Sequence, residues 1–128
     1  MTPTQTLSNV VAGMLLIQVV LGGAAALLEF PIMIHLVWGV LTFIALIALS
    51  VLLAKRFGSR SGVFRVSLFA IIDFVVQGIL GFISLGSNGD AILVHLTNAF
   101  ILVVLVTMLI SLTMRTTPLQ RTSAAAAP

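Results

Sequence analysis

The sequence predicts an all-α protein, an integral membrane four-helix bundle made of two repeated helical hairpins. Three observations carry this expectation. Of 128 residues, 60% are hydrophobic and only 7% charged, too apolar a balance for a water-soluble domain of this length. Four apolar runs, about 7–28, 31–54, 63–86 and 90–114, each approach the roughly 20 residues that cross a hydrocarbon core of about 30 Å. The first pair of runs is echoed by the second: Gln-x-x-Leu-Gly near the end of one run, a polar break, then apolar-His-Leu near the start of the next.

The first run is apolar on every face, as a spanning helix is and a surface helix is not. Ser8 or Asn9 suits its N-cap. Its leading residues hold no Lys or Arg, so despite Ala24-Ala25-Ala26 it is expected to be retained rather than cleaved as a signal peptide. Gly13, Gln18, Gly22 and Gly23 interrupt it; small residues let helices approach closely, and a glutamine in hydrocarbon needs a partner. Gln18 reads equally as interhelical glue and as a site residue.

Glu29-Phe30-Pro31 forms the first turn, with Pro31 suited to the first position of the second helix. His35, Gly39 and Thr42 then share a face by their i, i+4, i+7 spacing, and Gly39 is expected to leave a gap beside the imidazole where a flat ring could lie. The loop from Lys55 to Arg65 is a solvated anchor for anionic headgroups. In the third run Asp73 shares a face with Gln77, and a carboxyl at that depth reads either as structural glue or as a proton or quinone contact. Residues 84–90 hold the second turn, dense in Gly, Ser and Asn. In the fourth run Ala99 stands where Gly39 stands in the first copy, and Asn98 where Trp38 stands. Residues 116–128 are low in complexity and expected to be disordered, which leaves 1–115 as the domain.

The charges lie where a membrane topology needs them. Lys55, Arg56, Arg60 and Arg65 surround the middle loop and Arg115 and Arg121 follow the fourth run, while Glu29 and Asp90 sit in the other breaks. By the positive-inside rule both termini and the middle loop are cytoplasmic in a prokaryotic cell membrane. Six basic residues so placed describe topology and give no face for nucleic acid. The chain holds no cysteine, which excludes a disulfide framework, a thiolate metal site, a c-type haem attachment and a cysteine nucleophile.

His35 and His95 are the only two histidines, at matching points of the two copies. Counted from the expected turns they lie roughly 6–8 Å down their helices, with Gly22 and Gly81 roughly 8–9 Å down theirs, so all four share a level. Zinc asks for three or four protein ligands, and no third histidine exists. Haem iron takes four nitrogens from its porphyrin and asks the protein only for axial ligands. The pair therefore predicts one haem b per chain, with His35 and His95 on the iron and Gly22, Gly81, Gly39, Ala99, Gln18, Gln77, Trp38 and Asn98 lining the site.

Over about residues 15–110 the pattern resembles one four-helix half of the haem A synthase family, because Gln18, Gly22 and His35 recur as Gln77, Gly81 and His95. The resemblance implies axial haem ligation by His35 and His95. The family has two such halves and two haem positions, whereas this chain offers one pair. The expectation is a bis-histidine membrane cytochrome passing single electrons between a membrane quinol and a redox partner on the outer side. Other classes stay open: a small haem A synthase working as a homodimer, a haem carrier or sensor, or a transporter or assembly subunit without cofactor.

Overall fold

The structure, a computed structural model, describes residues 1–86 and 89–125, with side chains as far as 115. It consists of α1 (Pro3–Leu27), α2 (Ile32–Phe57), α3 (Gly62–Ser84) and α4 (Gly89–Ala125), with no strand among the described residues. All four are long and apolar enough to cross a membrane, α4 over Gly89–Arg115. The chain is a multi-pass membrane protein of the all-α four-helix class. Short connections make successive helices antiparallel, so that the start of α1, the end of α4 and the 58–61 loop with its flanking Lys55, Arg56 and Arg65 lie at one end, called here the basic end. The 28–31 turn, the end of α3 and the start of α4 lie at the other.

The helix boundaries follow from local chemistry. α1 starts earlier than its apolar run because Thr2 caps it: the Thr2 hydroxyl accepts from the Gln5 N–H, the Gln5 side chain accepts from the Thr2 N–H, and Pro3 opens the first turn. Ser8 is therefore not the cap expected from the sequence. It lies buried one turn inside and bonds the Thr4 carbonyl. Pro31 takes the N-cap of α2 rather than the first helical position. Glu29 adopts φ 54°, the left-handed conformation in which a chain commonly leaves a helix. α4 runs past its expected end near 114 as far as Ala125.

The helices pack as a square: α1 on α2, α2 on α3, α3 on α4 and α4 on α1, with no contact across either diagonal among the described residues. The hydrophobic core is confined to the basic half. It is built from Val11, Leu15, Leu46, Leu49, Leu53, Val63, Ala70, Leu102, Val106 and Leu109. Buried hydroxyls there bond carbonyls of their own helix, Ser50 to Leu46 and Thr113 to Leu109, as a polar group shut away from water must. Arg56 donates to Thr4 and ties the start of α1 to the end of α2. In the other half Gly39, Thr42 and Ala99 are the buried positions among the described residues, and none of them belongs to this apolar cluster.

Both faces of a membrane helix are apolar, so packing and not hydrophobicity distinguishes inside from outside. Leu49→Ala, at a fully buried position, should cost about 2–5 kcal/mol by opening a cavity. Phe69→Ala, on the lipid face at 61% exposure, should stay within about 0.5 kcal/mol. Thermal unfolding of detergent-solubilised protein, followed by helical circular dichroism, distinguishes the two.

Candidate functional site

The half without an apolar core is where the repeated residues meet. In the first hairpin His35, on the first turn of α2, lies against Gly22 of α1. A methyl group on Gly22 would come within 2.9 Å of the imidazole Cε1, closer than atoms tolerate, so only glycine admits the ring as it stands. In the second hairpin His95 of α4 lies against Gly81 of α3, with the equivalent distance 3.1 Å. The glutamines follow the same symmetry. The Gln18 amide nitrogen lies 3.3 Å from His35 Nε2, and that of Gln77 lies 3.4 Å from His95 Nε2. The repeat in the sequence is thus a repeat of one helix-to-helix contact: an imidazole over a glycine, with a glutamine amide on its Nε2.

Gly39 does not leave the gap expected of it. Its open side is taken by the Gln18 amide, which would stand 2.8 Å from an added methyl group. Ala99 occupies the matching place in α4, is buried, and carries the methyl group that Gly39 lacks. The level expected of the two histidines also differs in detail. Counted from the observed helix starts, His35 lies roughly 4.5 Å into α2 and His95 roughly 9 Å into α4. The stagger resides in the turns, because each imidazole keeps its glycine, and the two rings remain within electrostatic reach of one another.

The copies differ behind the histidines. Trp38 donates its indole N–H to the Met14 carbonyl at 2.8 Å, bracing α2 on α1. At the matching place Asn98 donates to Gln77 Oε1 at 2.9 Å and lies beside Asp73, the counterpart of Met14. The sequence shows Asp73 and Gln77 on one face but not the asparagine that joins them. The signal was present in the repeat: Met14 with Trp38 becomes Asp73 with Asn98, an apolar pair exchanged together for a polar one.

Among the described residues four buried polar side-chain atoms have no hydrogen-bond partner: Nδ1 of His35, Nδ1 of His95, Gln18 Oε1 and Asp73 Oδ2. Leaving such an atom unpaired costs about 1–3 kcal/mol, and all four fall among the repeated polar positions and their counterparts. The described residues hold no group of three or more His, Cys, Asp or Glu, so a bare metal ion has no ligand set here. Two imidazoles on diagonally placed helices, at the end that lacks an apolar core, instead suit a group that brings its own equatorial ligands. No protein-family model, curated protein or solved structure matches the chain.

The glycine contact makes a paired comparison possible. Gly22→Val drives a branched side chain into His35 and should cost about 1–3 kcal/mol more than Gly23→Val, since Gly23 has nothing within 4 Å. Both variants carry the same helix-propensity penalty, so the difference in unfolding midpoint reports the contact alone.

Proposed function

We propose that this protein is a b-type membrane cytochrome in which His35 and His95 hold one haem b from opposite sides. The reading is carried by one observation: two imidazoles, each seated on its own glycine, stand on diagonal helices at the end of the bundle that lacks an apolar core. The motif resemblance to a half of haem A synthase supports the same ligands.

The haem supplies a one-electron iron couple when bound. The protein's part is positional. Gly22 and Gly81 set how closely each imidazole lies to the neighbouring helix, and so where its nitrogens point. Trp38 fixes α2 against α1 a turn below His35. Two histidine ligands leave no open position for oxygen, which favours electron transfer. In the proposed orientation both termini and the basic loop are cytoplasmic in a prokaryotic membrane, and the histidines lie near the outer face. The expected donor is a membrane quinol and the acceptor a redox partner on the outer side.

Purified protein should carry about one haem per chain and show the reduced-minus-oxidised spectrum of low-spin bis-histidine ligation. His35→Ala and His95→Ala should each remove those low-spin bands while retaining helical content. Wild-type protein without haem, or low-spin bands that survive both replacements, would overturn the proposal.

A further inference from the structure

The two histidines differ in what holds the amide that faces them. Gln18 has only its contact with His35, and its Oε1 has no partner. Gln77 is held at both ends. Its Oε1 accepts from Asn98, and its amide nitrogen meets His95 Nε2. Beside Asn98 lies Asp73, whose acceptor oxygens favour the amide nitrogen of Asn98 over its oxygen. The hydrogen-bond direction then follows step by step. The Asn98 amide nitrogen donates to Gln77 and has the Asp73 carboxyl as its neighbour. With its oxygen taken, Gln77 presents N–H to His95. His95 Nε2 must accept, so its hydrogen resides on Nδ1. Nothing imposes a direction on Gln18, which can present either end of its amide to His35.

An N–H donor on Nε2 uses the same lone pair that a metal would use. His95 can therefore ligate only by giving up a braced glutamine, whereas His35 gives up an unbraced one.

We infer that the two axial ligands are unequal: the chain Asp73–Asn98–Gln77 makes His95 the exchangeable ligand, so a small neutral ligand such as carbon monoxide takes its place, while His35 stays bound. This rests on the haem reading above. In the exchange the iron bond to His95 Nε2 breaks, Gln77 recovers that lone pair, and the incoming ligand forms the new bond. No electron or proton changes place. Asp73 and Asn98 are positioning residues here, acting through Gln77.

Two measurements test it. In haem-free protein in detergent, nitrogen-15 spectra of the imidazoles should show His95 as a single Nδ1-protonated tautomer and His35 as a mixture. Asn98→Ala and Asp73→Leu should turn His95 into a mixture, while Asp73→Asn, which keeps an acceptor oxygen, should preserve the single form. His95 protonated on Nε2, or unchanged in Asn98→Ala, would overturn the inference. In haem-loaded, dithionite-reduced protein, His95→Ala should retain haem and bind carbon monoxide, whereas His35→Ala should lose haem to apomyoglobin. Asn98→Ala should weaken carbon monoxide binding about tenfold by freeing His95 to ligate. Haem retained in His35→Ala but lost in His95→Ala, equal behaviour of the two, or unchanged affinity in Asn98→Ala would sink this inference and leave the cytochrome reading standing. Wild-type protein that takes up no haem would remove both.

Discussion

A polar side chain inside a bilayer has no water to bond, so it must find a partner in the protein, and the helices that carry the two partners are tied together. This constraint organises the molecule. Lipid tails are as apolar as leucine, and hydrophobic burial alone gives the four helices little reason to choose one arrangement over another. Gln18 with His35, and Gln77 with His95, give each hairpin a register. Trp38 on Met14 and Arg56 on Thr4 hold the first hairpin at two further levels. Packing of leucines and small residues then closes the basic half, with Phe43 on Phe74, ring centroids 5.3 Å apart, joining one hairpin to the other.

The division of the bundle into a packed half and a polar half follows from the same constraint. In the basic half the interior positions carry Leu, Val and Ala, and the few hydroxyls bond their own helices. In the other half they carry histidine, glutamine, asparagine and glycine, which cannot interdigitate as leucines do. Those residues leave Nδ1 of both histidines buried and unpaired. A chain selected only for stability would gain from apolar residues at these places, since a partly satisfied polar network is less stable than a packed core. Their presence twice over, in matching positions, is the strongest reason to regard the polar half as a binding site.

Much of this was legible in the sequence. Four runs of the right length and hydrophobicity gave four spanning helices, and the Gln-x-x-Leu-Gly and His-Leu motifs located the contacts that join each hairpin. Boundaries were harder to read. In a membrane protein the hydrophobic run marks the span and not the helix, so α1 begins at its Thr2 cap and α4 runs on to Ala125. The role of Gly39 was also hidden. Spacing places it beside His35, but only the three-dimensional packing shows the Gln18 amide filling the space it leaves. The sequence likewise gave Asp73 and Gln77 one face without revealing that Asn98, from another helix, connects them.

The differences between the copies are as informative as their likeness. An internal repeat that served only to build a symmetric scaffold would tolerate the same brace in both hairpins. Here the first hairpin is braced by an indole on a backbone carbonyl, a contact that touches neither Gln18 Oε1 nor the imidazole. The second replaces both partners, Trp38 by Asn98 and Met14 by Asp73, and so connects the brace to the glutamine and through it to His95. Placing a carboxyl among apolar helices costs stability, whereas the Trp38 arrangement fixes the same two helices without one. The added connection therefore does something that helix packing does not require. In the inference drawn above, its physical effect is to orient one amide and, through it, one imidazole, while the amide facing the other has no such brace. Two imidazoles at matching places of the repeat are thereby given different surroundings, by residues that reach one of them only through its glutamine.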